Sequence, residues 1–393
     1  MHYRNDKAGR ALSVLGLGCM RFPRNLGSID RARAGELVQA AVDGGINYLD
    51  TAYTYAGSEE ALGHILVERR LRDHVYLATK LPHGRVHSTD DAERIFSESC
   101  RRLQTDHIDY YLIHNIADIT SWNRLCALGI RDWLARARAD GRIDRVGFSF
   151  HGASSAFPQL LDAYDWDFCQ IQYNYSNPNF QAGRSGLQLA AARNIPVIVM
   201  EPLLGGKLAT GLPARCSRLF EECVPGRSPA DWGLRWLFDQ PAVTVVLSGM
   251  SSLQQLTENV RVADAAAPGM LTDAERAVFA PVVAAFEESY KVHCTGCNYC
   301  MPCPAGVNIP GCFAAYNARY AVGLGTGMHQ YMTGTAAQNP ETYAGVSRCT
   351  RCGACVPKCP QTINIPDELA QVKRVMEPFW FKPLTALVRK LMS

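Results

Sequence analysis

Between residue 11 and about residue 265, short apolar runs alternate with longer stretches whose charges fall on one helical face. That alternation of periods argues for βα units and a parallel sheet. Eight runs stand out as strands: Ser13–Leu17, Asn47–Asp50, Val75–Lys80, Asp109–His114, Arg142–Ser149, Phe168–Ile171, Pro196–Met200 and Val243–Ser248. Each is followed by a stretch suited to a helix, so the pattern predicts an α/β fold of the (β/α)8 TIM-barrel class.

Local signals support this segmentation. Ser58, followed by Glu59 and Glu60, reads as a helix N-cap, as does Ser228 before Pro229. Thr272 opens a capping box, T-D-A-E. The Gly/Pro-rich stretch Glu201–Arg227 is aperiodic and is expected to lie as a loop over the C-terminal face of the barrel. That stretch and Asn115–Arg124 with Trp122 are the expected substrate-choosing loops, and neither carries a recognisable code.

After about residue 285 the periodicity stops. The predicted organisation is a barrel over 1–285, a small cysteine-rich domain over 286–375 holding one helix, and an amphipathic tail over 376–393. The tail suits a helix docked by its aromatic face, or a membrane or partner contact.

Composition narrows the class. Of 393 residues, 47% are apolar and 20% charged, which suits a globular chain with a large core. Forty basic against thirty-seven acidic side chains leave +3, too balanced for a nucleic-acid groove or a polybasic membrane surface. The first residues lack an apolar signal region and no apolar run is long enough to span a bilayer, so a cytoplasmic protein is expected.

Eight of the fifteen cysteines fall in two C-x-x-C arrays, which points to metal rather than disulfides. The first array is Cys294, Cys297, Cys300 and Cys303; the second is Cys349, Cys352, Cys355 and Cys359; each ends in Cys-Pro. Two tetrahedral zinc sites also fit paired C-x-x-C motifs, but four cysteines per run and no histidine spaced into either favour iron–sulfur clusters. The region resembles the bacterial two-cluster ferredoxins over roughly seventy residues. That resemblance implies two [4Fe–4S] clusters, with the fourth cysteine of each run crossing over. One set is then Cys294, Cys297, Cys300 and Cys359, and the other is Cys349, Cys352, Cys355 and Cys303. The first run departs from the ferredoxin spacing, with two residues instead of three before its fourth cysteine.

In the barrel segment, Asp50, Lys80 and His114 close the second, third and fourth strands, and Tyr55 follows Asp50 in the next loop. All four therefore converge on the face where barrel active sites lie. Their settings, "NYLDTAYTYAGSEEALG", "VYLATKL" and "IDYYLIHN", resemble the aldo-keto reductase family across the whole barrel. The resemblance implies hydride transfer between NADP(H) or NAD(H) and a small carbonyl or alcohol, with Tyr55 as general acid, Lys80 and Asp50 tuning it, and His114 orienting the carbonyl. A free tyrosine titrates near ~10, and lowering that by about three units takes roughly 4 kcal/mol, which a buried Lys⁺ supplies in part.

For the cofactor, the same resemblance implies contacts from Gly18 and Met20 after the first strand, Ser149 after the fifth and Gln170 after the sixth. Ser248, Gln255, Glu258 and Asn259 match the adenine side. Phe150, Met200 and Gln255 stand where the family has an asparagine, a stacking aromatic and a phosphate-binding arginine. The complete ferredoxin unit leaves two further roles open: electrons delivered through the clusters to a substrate over the barrel, with a redox protein as a partner, or clusters that only cap, dock or sense oxygen.

Overall fold

In the computed structural model, which describes residues 1–25, 27–335, 343–381, 383 and 385, the chain divides into two compact units. They are Met1–Leu203 with Ala230–Asp273, and Leu204–Pro229 with Ala274–Ser393. The first unit opens with a hairpin, β1 (Tyr3–Asn5) against β2 (Ala11–Ser13). Strand β3 (Leu15–Gly18) leads to a small ribbon, β4 (Arg24–Asn25) and β5 (Ser28–Ile29). Then come β6 (Tyr48–Asp50), β7 (Tyr76–Pro82), β8 (Ile108–Ile116), β9 (Ile143–Phe150), β10 (Phe168–Gln172), β11 (Val197–Met200) and β12 (Val243–Ser248). β3 and β6 to β12 close as an eight-stranded parallel barrel, with β12 pairing back onto β3, as the apolar runs predict.

The runs are nearly continuous in hydrophobicity because each strand is covered twice. Outward residues such as Leu49, Leu77, Ile113 and Val246 pack under the helices, and inward ones such as Tyr48, Tyr110, Phe168 and Leu247 fill the barrel. Two glycines make room inside. A Cβ at Gly16 would stand 2.8 Å from Leu247 Cδ2, and one at Gly147 would stand 2.7 Å from the Phe168 ring. The β1–β2 hairpin is tied to the N-terminal end of the barrel: Asp6 accepts from the Tyr110 hydroxyl at 2.8 Å and from Arg145 at 3.2 Å.

Four local expectations are corrected. Gly57, at φ 74, takes the N-cap position, and Ser58 instead begins helix Ser58–Glu68 with its hydroxyl donating to the Cys19 carbonyl. A left-handed residue is needed there, which favours glycine over serine. Trp122 lines no open loop: in helix Ile119–Ala127 it is 2% exposed and packs on Trp166 with ring centroids 4.8 Å apart. Glu201–Arg227 is partly helical, since Ala214–Cys223 forms a helix whose Phe220 packs edge-on against Phe279. The cysteine-rich region holds two helices between its arrays, Ile309–Ala321 and Leu324–Gly334, broken at Gly323 with φ 144. Most of the amphipathic tail lies outside the described residues.

The second unit contains an internal repeat. C-P-A-G-V-N-I-P from Cys303 and C-P-Q-T-I-N-I-P from Cys359 each lead into a helix, Ile309–Ala321 and Ile365–Met376. Asn308 and Asn364 stand at the two N-caps, and the proline follows at the second helical position, where a missing N–H costs nothing. The halves share a core of Val307, Ile309, Phe313, Ile365, Leu369 and Val372. Among the described residues, no helix is long and apolar enough to cross a membrane.

Candidate active site and cysteine centres

The barrel's register brings its ionisable groups to one end. Gly18 pairs with Asp50 at the ends of β3 and β6, Asp50 with Ala78 in β7, and Pro82 with His114 in β8. As whole residues Asp50, Lys80 and His114 are 4%, 1% and 6% exposed, which makes their polar groups costly to bury without a partner. The Lys80 ammonium donates to Asp50 Oδ1 at 2.6 Å and to the Thr51 carbonyl at 2.7 Å. Asp50 Oδ2 accepts from Gln170 Nε2 at 3.0 Å. The Lys80–Asp50 pair is therefore buried and hydrogen-bonded on both sides.

Tyr55, half-buried in the loop after β6, stands over this pair. Lys80 Nζ is 5.1 Å from the centroid of its ring, and the His114 ring meets it edge-on with centroids 5.9 Å apart. The structure thus gathers Asp50, Tyr55, Lys80 and His114 around one point. Burial first, then the Lys80 charge and two further histidines, hold the His114 imidazole well below its ordinary value, so the ring is neutral at pH 7.

Those further histidines, and Thr54, were not singled out from the sequence. Thr54 Oγ1 lies 3.4 Å from His114 Nδ1. His83 and His151 directly follow β7 and β9, the neighbours of β8. Burial pushes both down, His151 to about 4. Their signal was faint, a polar residue one step past a strand end.

The residues expected at the cofactor also sit at this end, with their polar groups engaged. Ser149 Oγ accepts from the Asn115 amide at 2.7 Å, and Gln170 is turned to Asp50. Gly18 ends β3 and Met20 lies in the turn after it, both half-buried. Ser248 Oγ accepts from Asn259 Nδ2 at 3.1 Å, while Gln255 Oε1 accepts from the Ser251 amide at 2.8 Å. Ser252 caps helix Leu253–Asp264, on which Glu258 is half-buried. The β12 loop therefore presents serine hydroxyls and a helix N-terminus, a donor set that suits a phosphate group. Phe150 is buried against Phe157 with centroids 4.9 Å apart, so its ring belongs to the core beneath the helices.

The opposite end of the barrel has its own cluster, His107, Asp109 and Asp144, whose ligand atoms lie within 4.8 Å of one another. Arg72 reaches Asp109 at 2.9 Å and Arg10 reaches Asp144 at 2.5 Å. Two guanidinium groups thus already balance these carboxylates.

In the second unit, Cys294, Cys297, Cys300 and Cys359 line one cavity, whose other walls include Ile309, Phe313 and Ile365. The Cys300 thiol is pushed up to about 12 by burial and then by Cys294, Cys297 and Cys359 beside it. Cys355 is raised by burial, with Cys303, Cys349 and Cys352 among its neighbours. The runs turn alike: Gly296 and Asn298 in the first, and Arg351 and Gly353 in the second, all have positive φ. Four convergent thiols in an apolar pocket are the donor set an iron–sulfur cubane needs.

Comparison with known proteins adds to this geometry. Residues 14–268 match the family model described as "Aldo/keto reductase family", and residues 293–365 match "4Fe-4S dicluster domain". An uncharacterized oxidoreductase of Bacillus subtilis, YqkF, is 26% identical over 295 residues, covering 65% of this chain and 88% of that protein. A 6-dehydroglucose reductase of Novosphingobium aromaticivorans is 28% identical over 272 residues, covering 64% and 86%. The holo form of aldo-keto reductase AKR11C1 from Bacillus halodurans superposes with a TM-score of 0.59 at 26% identity, covering 72% of this chain and 96% of that one.

Proposed function

Because the chain belongs to the aldo/keto reductase family and carries a 4Fe-4S dicluster domain, we propose that its barrel reduces a small carbonyl compound, or oxidises the matching alcohol, with NADP(H) or NAD(H). The observation that carries this reading is the buried Lys80–Asp50 pair with Lys80 Nζ 5.1 Å from the Tyr55 ring centroid. A bound nicotinamide supplies or accepts the hydride. The residues of the chain manage the proton.

Tyr55 donates its phenolic proton to the oxygen that becomes an alcohol. The Lys80 charge beside the ring favours the phenolate left behind, and the Asp50 carboxylate, 2.6 Å away, pairs with that charge in its buried position. The Thr54 hydroxyl lies 3.4 Å from His114 Nδ1, and the tautomer that this reading requires carries its proton on Nε2 for the carbonyl oxygen. A neutral imidazole suits this task, since it polarises the carbonyl without adding a second cation beside Lys80. Ser149, Gln170, Gly18 and Met20 frame the nicotinamide end, and the β12 loop with Ser248, Gln255, Glu258 and Asn259 receives the adenosine phosphate end.

In the dicluster domain, Cys294, Cys297, Cys300 and Cys359 hold one [4Fe–4S] cluster and Cys303, Cys349, Cys352 and Cys355 the other. The shared cavity of the first set supports this division. The test is an anaerobic titration of the purified holoprotein, loaded with iron and sulfide, with NADPH and NADH separately. Saturable binding of one nucleotide is expected. No binding of either at millimolar concentration would contradict the reading.

A further inference from the structure

The two cysteine sets differ in their surroundings. The first is walled by Ile309, Phe313, Ile363 and Ile365, and its Cys300 is 8% exposed. The second reaches the surface: Cys352 is exposed, and Val356 beside it is 37% exposed. Their charges differ as well. From Cys294 to Ala318 the chain has neither Lys nor Arg, whereas Arg348, Arg351 and Lys358, all exposed, flank Cys352 along the chain. No Asp or Glu lies between Tyr343 and Pro366. Asp367 pairs with Arg351, Arg348 donates to the Tyr343 carbonyl at 2.9 Å, and Glu377 accepts from Ser347 and Tyr343, so three cations of the run stand against two carboxylates from outside it.

Along this run the exposed Ala354, Val356 and Pro357 therefore alternate with exposed basic residues on either side of the exposed Cys352. That is the anatomy of a transient docking face, where a few apolar contacts exclude water and opposite charge steers the encounter. We propose that Arg348–Lys358 is the docking face for an acidic one-electron carrier protein, and that electrons enter or leave the chain through the second cysteine set. The proposal rests on the reading that both sets hold [4Fe–4S] clusters. In each encounter one electron leaves the reduced carrier, which is oxidised, and the second cluster is reduced by one, with no bond made and no proton moved.

A cation beside a cluster can also do no more than balance the negative charge of the thiolate-bound irons, and the experiment separates the two roles. The holoprotein is mixed in stopped flow with a dithionite-reduced acidic [2Fe–2S] ferredoxin at low and high ionic strength, and bleaching of the cluster absorption is followed. Lys358→Glu, Lys358→Arg and the double variant Arg348→Glu/Lys358→Glu are compared, with iron counts and EPR-monitored midpoint potentials for each. The charge reversals are expected to slow the second-order rate roughly tenfold or more at low salt, with the gap closing at high salt and Lys358→Arg behaving as the parent. A rate indifferent to salt and to the sign at Lys358 would overturn the proposal, even if the potential moved. Iron counts showing a single cluster in the parent protein would refute the cluster assignment itself, before any docking measurement.

Discussion

Lys80→Met removes the cation from which Asp50 Oδ1 accepts at 2.6 Å and leaves the carboxylate in a pocket where the two side chains are only 1% and 6% exposed. Breaking a buried pair from one side costs about 3–5 kcal/mol, because the remaining charge loses its compensation while its desolvation persists. Asp50→Asn has the mirror effect on Lys80, softened by the amide oxygen that still accepts. Lys80→Met combined with Asp50→Asn removes both charges. The double variant is then expected to cost at least about 2 kcal/mol less than the sum of the single ones. Urea unfolding at pH 7 measures this through tryptophan fluorescence, since five of the six tryptophans lie in the barrel unit. Additive single effects would refute the coupling between the two buried charges.

Three further outcomes follow from the geometry. His151 titrates near 4 folded against 6.5 unfolded, so the unfolded chain takes up a proton below pH 6.5 that the folded chain refuses. Stability is then fully present above that value and falls by about 2 kcal/mol between pH 7 and 5 from this residue alone, with His83 and His114 acting in the same direction; flat or rising stability in urea titrations at the two pH values would contradict it. In the dicluster domain, Cys359→Ala should reproduce the EPR loss of Cys294→Ala, with about four of eight irons gone, while a match to Cys355→Ala would overturn the crossed division. Gly63→Ala places a Cβ 2.2 Å from the Arg102 carbonyl oxygen, so helices Ser58–Glu68 and Thr89–Leu103 must separate at a cost of about 2 kcal/mol, and an unchanged Tm would show that they yield freely.

The barrel was legible because its strands are buried on both faces. β12 coincides with the apolar run Val243–Ser248, and the other barrel strands shift by only a few residues at their ends. The β1–β2 hairpin was hidden by its brevity, as three-residue strands carry no period. The two helices between the cysteine arrays were read as one because Gly323 interrupts otherwise similar compositions. Trp122 was assigned to a substrate loop because nothing local reveals that Ile119–Ala127 folds inward against Trp166. At the candidate site, Asp50, Lys80 and His114 could be read from their places at strand ends. Thr54, His83 and His151 could not, since their roles arise from neighbours on other strands. The bond from Gln170 to Asp50 spans 120 positions, and only the closed barrel brings the two together.

Turnover by Tyr55→Phe tests the central claim most directly. Anaerobic holoprotein is supplied with NADPH or NADH and a panel of aliphatic and aromatic aldehydes, and nucleotide oxidation is followed beside nucleotide binding. The parent protein is expected to consume nucleotide with some aldehyde, whereas the variant binds the nucleotide equally well and reacts at least about 100-fold more slowly. A variant that keeps the parent rate would show that the phenol over Lys80 and His114 is not the proton donor.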